Sequence, residues 1–399
     1  MIRRRLPDRM KTVLTASSLL TPLEQIPDPV LVMEDGRIAK VGSRQAMEIP
    51  AGAQVQDFPK AVLAPGMVDI HIHGGAGHDV MTAGASELEH FERFLARQGV
   101  TSYFPTTVTA PIDKTAVALE RLAAAIETVS ARRREGSLRA QPLGIHLEGP
   151  FLSHAKRGVH PPDQLQAPSL EVFDHLWQAA RGTVSLMTVA PELPKAEYLI
   201  GEAARRGVCV SLGHSDSSLA HAEAGIAAGA RHATHTFNAM RALDHREPGI
   251  LGAVLSNDRL TADIIADGIH VHPSVIEMFL RAKGPDNAVL ITDAISATGM
   301  GNGKYRLGGF EVTVTGDRCE YEGRLAGSVL TLDRAVRNVM QFARWNLQQA
   351  IRLATLNPAR VAGFTGRKGQ LLEGADADVV VMNASGQPIQ TFVAGVAVA

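Results

Sequence analysis

The sequence predicts an α/β fold, a TIM-like (β/α)8 barrel with a small β-sandwich domain built from both ends of the chain. Short apolar runs alternate with helical stretches, and strand-like runs recur near both termini. Strand–helix alternation implies a parallel sheet, and eight such units over roughly 300 residues fit a closed barrel. An open, doubly wound parallel sheet is the alternative that this alternation leaves open.

The chain begins with basic residues and a short apolar run at Thr12–Leu20, which loosely resembles a secretion signal. The run contains hydroxyl side chains and leads into Pro22 and Glu24 without a convincing small-residue cleavage site. We therefore interpret the run as the first strand of the folded protein and residues 1–10 as a frayed tail.

The small β domain is predicted from segments at both ends. Residues 30–42 hold two apolar runs around Asp35-Gly36, a strong hairpin signal. Residues 378–382 and 390–398 are also strand-like, so the two termini are expected to pair. This places residues 1–63 and 369–399 in the small domain and residues 64–368 in the barrel.

Eight apolar runs between the termini are predicted as barrel strands, with helices between most of them. The strands are Val68–His73, Ser102–Val108, Leu143–Glu148, Val184–Ala190, Val208–His214, His232–Phe237, Thr261–Ala266 and Ala288–Asp293. The clearest helices are Ser86–Gln98, Lys114–Arg134, Lys195–Arg206, Ser218–Ala228 and Pro273–Lys283. Residues 299–327 are rich in glycine and short strand signals, and they predict a β-rich insertion ahead of a helix that begins near Ser328.

Composition excludes several classes of protein. Apolar residues make up 45% and charged residues 20% of the 399 residues, which is ordinary for a globular chain. The sequence has no apolar stretch long enough to span a bilayer. Forty basic against 41 acidic residues lack the basic excess of nucleic-acid-binding proteins. Two cysteines form no disulfide framework, so we expect a cytoplasmic protein without nucleic-acid or membrane partners.

Polar side chains cluster where the predicted strands end. Catalytic groups of such barrels come from the carboxyl ends of the strands. Histidine is the commonest metal ligand in proteins, and this chain has fifteen histidines. Residues two apart on a strand share a face, so both imidazoles of the first strand can enter the barrel mouth. The strand ends read His71-Ile72-His73, His146-Leu147-Glu148-Gly149-Pro150, Gly213-His214-Ser215, His235-Thr236-Phe237-Asn238 and Thr292-Asp293-Ala294.

These residues together predict a metal site. A lone histidine at a strand end is more often structural, and an aspartate after threonine often caps a helix. Several metal-competent groups at one end of five strands favour a ligand set instead, since a divalent cation compensates buried carboxylates. Imidazole and carboxylate donors suit Zn²⁺, Fe²⁺, Co²⁺, Mn²⁺ or Ni²⁺. Glu148, His214 and His235 would hold one ion, and His71 and His73, with Asp293 and a bridging Glu148, a second.

The chain resembles the amidohydrolase superfamily of metal-dependent hydrolases, and within it the N-acetylglucosamine-6-phosphate deacetylase family. The resemblance runs from about Thr12 to Val398. The His-X-His element is typical of the whole superfamily, whereas the other elements together are specific to the deacetylases. The matching runs are Pro65–Gly74, Gly144–Phe151, Gly158–Pro161, Leu212–Ser215, Thr234–Met240, Arg246–Gly249, Ala266–Val271 and Thr292–Ala294.

The resemblance implies removal of acetyl from N-acetylglucosamine 6-phosphate in amino-sugar metabolism, by a homodimer with one or two divalent ions. It implies that Glu148, His214 and His235 are the main metal ligands and that Asp293 is the catalytic acid and base. His160 would stabilise the developing oxyanion. Positions expected to bind substrate are Val159, His160, Asn238, Ala239, Arg246, His270, Leu325, Ala326 and Gly327.

Two other classes of function remain open at this point. A cyclic amidase, a dipeptidase or a deaminase of the same superfamily would keep the barrel and the metals. It would not need Arg246, whose planar guanidinium matches phosphate oxygens, or Asn238-Ala239. A non-catalytic scaffold of this fold would be free to lose ligands, whereas this sequence keeps the whole set.

Overall fold

A computed structural model describes residues 11–132 and 138–398. The predicted tail at residues 1–10 and the last residues of the helix predicted at 114–134 lie outside the described residues. All eight predicted barrel strands are confirmed; the first is shifted by one residue, and the other seven are shorter than expected. In chain order they are Met67–Ile72, Val100–Pro105, Ile145–Glu148, Val184–Val189, Cys209–Leu212, His232–Ala233, Ala262–Ile265 and Ala288–Ile291.

The strands form a closed, parallel ring, which excludes the open sheet. Strands one and two, three to six, and seven and eight pair as parallel ladders. Isolated parallel bridges join the second strand to the third at Thr106 and His146, and the eighth to the first at Ala294 and Ile72. Between the sixth and seventh strands, the backbone N–H of Ala233 donates to the carbonyl of Thr261 at 3.0 Å. All the carboxyl ends therefore lie at one mouth of the barrel.

Helices cover the outside of the ring, because each presents an apolar stripe to the strands. Leu88, Phe91 and Leu95 recur at helical spacing and are buried, and Glu87 accepts a hydrogen bond from the Gly84 N–H at the start of their helix. The helices are Ala85–Arg97, Ile112–Arg132, Leu170–Ala179, Ala196–Arg205, Leu219–Ala228, Gly249–Ser256, Pro273–Asn287, Leu332–Ala343, Leu347–Arg352 and Leu356–Val361. In the described part of the chain, no helix is both long and apolar enough to cross a membrane.

The two ends of the chain form one eight-stranded sheet, so the predicted pairing of the termini is confirmed. The central strand Gln54–Pro65 runs parallel to Thr12–Leu20 on one side and antiparallel to Val379–Met382 on the other. Leu14, Leu63 and Phe392 are fully buried in a core of their own. The remaining strands of the sheet are Gln25–Pro27, Pro29–Glu34, Arg37–Ser43, Pro388–Val393 and Val396–Ala397.

The predicted insertion is a four-stranded antiparallel sheet at the barrel mouth. It follows the eighth barrel strand and returns to the barrel through a bridge between Ala294 and Ser328. Leu307, Val312 and Cys319 form its apolar core with Val108 from the barrel. Its strands are Gly303–Leu307, Phe310–Thr315, Arg318–Tyr321 and Arg324–Leu325. The short strands Gly74–Gly75 and His78–Asp79 form a hairpin just after the first barrel strand.

Candidate metal centre

Polar residues from all five predicted strand ends line one cavity of about 170 Å³ at the barrel mouth. A water molecule occupies ~30 Å³ in the liquid, so the cavity has room for an acetamide group beside a few water-sized ligands. The antiparallel insertion contributes one wall of it. The cavity is lined by His73, Val108, Glu148, Gly158, Val159, His160, His214, His235, Asn238, Ala239, His270, Asp293, Leu307, Leu325 and Gly327.

Strained backbone positions turn three of these side chains into the cavity. His214, His235 and Asp293 have φ values of 47°, 28° and 50°, each two residues beyond the end of its strand. A left-handed conformation of a residue other than glycine costs on the order of 1–3 kcal/mol and is concentrated at functional sites. The buried carboxylate of Asp263 on the seventh strand accepts the backbone N–H of His235 and so holds one of these turns.

Glu148, His214 and His235 bring three potential ligand atoms together. The Nε2 atoms of His214 and His235 both lie 3.1 Å from Glu148 Oε1 and 3.0 Å from each other. An ion with tetrahedral bonds of ~2.0–2.1 Å spaces its ligand atoms by about 3.3 Å. The observed spacing is therefore close to that of three ligands around one ion.

His71, His73 and Asp293 form a second group beside the first. The Nε2 atom of His73 lies 3.0 Å from Asp293 Oδ1 and 3.3 Å from His71 Nε2. Glu148 reaches both histidines, with Oε1 at 3.5 Å from His71 and Oε2 at 3.4 Å from His73. Glu148 therefore lies between the two groups, as expected of a carboxylate that bridges two ions.

The Nδ1 partners of two histidines identify the atoms that face the cavity. His214 Nδ1 donates to the Lys156 carbonyl at 2.9 Å, and His73 Nδ1 donates to the Thr106 carbonyl at 3.0 Å. A carbonyl oxygen can only accept, so each ring carries its proton on Nδ1. In the neutral ring, Nε2 then directs a lone pair at a carboxylate, an arrangement that a cation between the two stabilises.

The buried carboxylates impose a strongly negative environment. Burial opposes the charge on Glu148, but His71 and the neighbouring imidazoles outweigh it and hold the pKa of that carboxyl well below its usual range. At His235 burial lowers the pKa, but the charge of Glu148 and its hydrogen bond outweigh burial and raise the pKa to about 9. Burial dominates at His214 and lowers its pKa to about 4. The metal-free site thus favours positive charge, and a divalent ion bound to these donor atoms would supply it.

The structure separates the predicted substrate residues into two groups. Val159, Asn238, Ala239, His270, Leu325 and Gly327 line the cavity with His160. Ala326 is buried in the core of the insertion, between two lining neighbours. Arg246 is exposed in the loop ahead of the helix Gly249–Ser256 and does not line the cavity. His146, whose role the sequence leaves open, is fully buried and bonds to the Ile70 carbonyl and the Thr188 hydroxyl.

Sequence reasoning missed several residues that shape the site. Val108 and Leu307 line the cavity and carry no chemical signal in the sequence. Asp267 lies within the matching run Ala266–Val271 without a predicted role, but its Oδ2 lies 2.6 Å from His270 Nδ1 and its Oδ1 accepts the backbone N–H groups of Ile269 and His270. An aspartate three residues before a site histidine is the local signal that could have found it.

A closed barrel with imidazole and carboxylate donors at its carboxyl mouth defines the class of metal-dependent barrel hydrolases. Within this class, the chain belongs to the amidohydrolase family, whose sequence model matches residues 62–398. The resemblance predicted from the motifs is therefore confirmed.

Three comparisons describe the similarity in more detail. The chain is 35% identical to an N-acetylglucosamine-6-phosphate deacetylase of Bacillus subtilis (strain 168), over 95% of this chain and 94% of that one. It is 36% identical to an N-acetylgalactosamine-6-phosphate deacetylase of Escherichia coli O157:H7, over 97% and 99%. A mutant N-acetyl-D-glucosamine-6-phosphate deacetylase from Mycobacterium smegmatis, solved in complex with N-acetyl-D-glucosamine-6-phosphate, superposes with a TM-score of 0.89 at 32% identity, covering 98% of this chain and all of that one.

Proposed function

We propose that this protein hydrolyses the N-acetyl group of N-acetylglucosamine 6-phosphate, giving glucosamine 6-phosphate and acetate, in amino-sugar metabolism. The observation that carries the proposal is the placement of Asp293 and His160 around one cavity with a complete set of metal ligands. The similarity to deacetylases of such sugar phosphates over nearly the whole chain supports the choice of substrate.

The spacing of the ligand atoms supports an assignment of residues to two ions. Glu148, His214 and His235 would hold one divalent ion, and His71 and His73, with Asp293 and a shared Glu148, a second. A divalent ion bound there supplies a Lewis acid that lowers the pKa of a coordinated water. The residues present do not select one element, since this donor set suits zinc, iron, cobalt, manganese and nickel.

Asp293 and His160 carry the proton transfer and the charge stabilisation. Asp293 accepts a proton from the attacking water and then passes it to the departing nitrogen, so that the amine leaves neutral as the C–N bond breaks. His160 donates a hydrogen bond to the carbonyl oxygen while negative charge develops there. Acetic acid and the neutral amino sugar then account for all the atoms of the amide and one water, and the acid ionises to acetate.

The exposure of Arg246 favours a phosphate contact across an interface between two copies of the chain. Within one chain Arg246 is exposed outside the cavity, whereas His270 lines it. We propose a homodimer in which Arg246 reaches the phosphate in the partner's cavity. Mixing the impaired Arg246→Ala and Asp293→Asn chains should then raise activity above the sum of the two in hybrid dimers, because one of the two sites regains both functional residues. Strict additivity of the two residual activities would contradict the arrangement.

A second substrate is supported by one comparison. The similarity to an N-acetylgalactosamine-6-phosphate deacetylase covers 97% of this chain, and the two sugars differ only in the orientation of one hydroxyl. A cyclic amidase, dipeptidase or deaminase of the same family would need no phosphate-binding groups and is less well supported. The non-catalytic scaffold does not account for a complete ligand set.

Product release by the metal-reconstituted enzyme on a panel of substrates tests the proposal. Acetate is measured for the 6-phosphates of N-acetylglucosamine and N-acetylgalactosamine and for unphosphorylated N-acetylglucosamine. Ring opening is measured for a dihydropyrimidine, and amino-acid release for a dipeptide. We expect the highest kcat/KM on N-acetylglucosamine 6-phosphate. Preference for the galactose isomer would move the proposal to the second substrate, and activity only on a cyclic amide or dipeptide would refute it.

Two organisational proposals accompany the activity. We propose that residues 1–63 and 369–399 act as one small β-sandwich domain beside the barrel at 64–368. This division is supported by the separate apolar core of the terminal sheet, in which strands from both ends bury one face together. We also propose a cytoplasmic location, which agrees with the two free cysteines.

A further inference from the structure

His160 has an unusual set of contacts among the histidines of the cavity. Its Nδ1 lies 2.7 Å from the hydroxyl of Thr109, and the backbone N–H of Thr109 points at the same atom with an N···N distance of 3.3 Å. Both residues are buried, with exposed fractions of 3% and 5%. A backbone N–H can only donate, so Nδ1 must offer its lone pair. The proton of the neutral ring therefore lies on Nε2.

This is the opposite tautomer to that of two neighbours that face the same carboxylates. His214 and His73 carry their proton on Nδ1, because a backbone carbonyl accepts from it. Their Nε2 atoms are free to bind a metal. His160 Nε2 lies 3.5 Å from Glu148 Oε2, about as close as His73 Nε2 at 3.4 Å. Distance alone would therefore place His160 among the ligands, whereas a protonated Nε2 has no lone pair to give.

The backbone next to Glu148 is built around the Thr109 hydroxyl. A Cβ on Gly149 would lie 2.1 Å from Thr109 Oγ1, and Gly149 has φ +81°. Only glycine combines that conformation with the missing side chain. Gly149 thus keeps open the space from which Thr109 reaches His160. His160 itself ends a tight turn, in which its N–H donates to the Arg157 carbonyl and its own carbonyl accepts from the Arg157 side chain.

We propose that Thr109 is a positioning residue that holds His160 as the Nε2–H tautomer and so reserves it as a hydrogen-bond donor to the substrate carbonyl, outside the metal-ligand set. The donor role rests on the proposed function, whereas the tautomer follows from the contacts of the ring alone. The two statements can therefore fail independently.

The tautomer can be measured without an activity assay. Protein labelled with ¹⁵N-histidine is loaded with zinc, and long-range ¹H–¹⁵N spectra identify which nitrogen of each ring is protonated. His160→Gln assigns the His160 signals. We expect a proton on His160 Nε2 and an unprotonated, metal-free Nδ1. A proton on Nδ1, or a zinc-bound Nε2, would overturn the proposal.

Thr109→Val and Thr109→Ser then test the positioning role. Valine keeps the shape and the backbone N–H but loses the hydroxyl, so one neutral hydrogen bond is removed. We expect kcat to fall about 2–13-fold, with KM and bound zinc unchanged. The backbone N–H of residue 109 remains, so His160 should keep its Nε2–H tautomer, while its Nδ1 signal shifts because the hydroxyl contact is lost. Serine should restore both kcat and the position of the Nδ1 signal. A valine variant with wild-type kcat and an unshifted Nδ1 signal would refute the role of Thr109.

The outcomes separate this proposal from the assigned activity. If the wild-type protein shows the Nε2–H tautomer but releases no acetate from any sugar phosphate, the proposed function fails and the Thr109 assignment stands. If it is an active deacetylase with a zinc-bound His160, the proposed function stands and the Thr109 assignment fails. His160→Ala adds a check, since it should lower kcat while the zinc content stays unchanged.

Discussion

Replacing Asp293 with asparagine removes the proposed proton carrier while preserving its shape. Asp293 Oδ1 lies 3.0 Å from His73 Nε2 and 3.6 Å from His71 Nε2. Burial alone would raise the pKa of this carboxyl. In the metal-free site the pKa of His73 is raised to about 9, so its ring is doubly protonated and Nε2 donates to Asp293; this hydrogen bond and the charge of His71 outweigh burial and hold the pKa of Asp293 at about 2. The group is therefore ionised at neutral pH and able to accept a proton, which an amide cannot do.

The expected loss of activity in Asp293→Asn follows from the loss of the proton carrier. General acid–base catalysis contributes about 10²–10⁴-fold, which corresponds to about 2.7–5.4 kcal/mol of transition-state stabilisation. The group formed by Glu148, His214 and His235 contains no atom of Asp293, so the ion held there should remain. Asp293→Asn should accordingly lower kcat by about 10²–10⁴-fold, leave substrate affinity intact, and weaken only a second ion.

Initial rates of acetate release, metal content by elemental analysis and substrate binding by calorimetry would be measured on the same preparation. Asp258→Asn is a matched control, because that aspartate is exposed and remote from the cavity lining. Loss of all metal from Asp293→Asn would make Asp293 mainly a ligand, and an undiminished kcat would exclude it as the proton carrier.

Three further changes test the ligands, the phosphate site and the fold. His214→Ala should abolish tight metal binding and activity, whereas His71→Ala should leave one ion in place; equal metal content in the two variants, measured by elemental analysis, would contradict the ligand assignment. Arg246→Ala should lower kcat/KM for N-acetylglucosamine 6-phosphate by roughly 10–150-fold and barely affect the unphosphorylated sugar, so equal losses on both substrates would remove the phosphate assignment. Lys368→Met should lower the free energy of unfolding by about 3–5 kcal/mol in urea titrations, because this buried ammonium lies 2.6 Å from a carboxylate oxygen of Asp378. Arg281→Ala, which breaks an exposed ion pair, should change it by less than about 1 kcal/mol.

Local sequence patterns predicted the elements well, because strands buried on both faces need continuous apolar runs. The run at Ala288–Ile291 is apolar and buried throughout, as expected for a strand of a parallel barrel. Strand ends were predicted less well. His235 was placed inside a strand, whereas the observed strand stops at Ala233 and the chain turns through positive φ values at His235 and Phe237. Such turns depend on partners in other strands, including Asp263, which the local pattern does not contain.

The candidate ligands could be selected by residue type, since few side chains other than histidine and carboxylates bind these metals. The protonated nitrogen of each imidazole ring could not be predicted in this way. His73, His160 and His214 look alike in the sequence, yet their Nδ1 atoms meet a Thr106 carbonyl, a Thr109 N–H and a Lys156 carbonyl. These partners lie on other segments of the chain, so only the folded arrangement distinguishes a metal ligand from a hydrogen-bond donor.

The sequence by itself determined the barrel, the pairing of the termini and the donor types at the barrel mouth, because periodic burial and residue chemistry are local properties. The tertiary structure alone decided the spacing of the ligand atoms around Glu148, the tautomers of the site histidines and the exposure of Arg246. Each of these depends on distances between groups that are far apart along the chain, and closure of the ring brings those groups together.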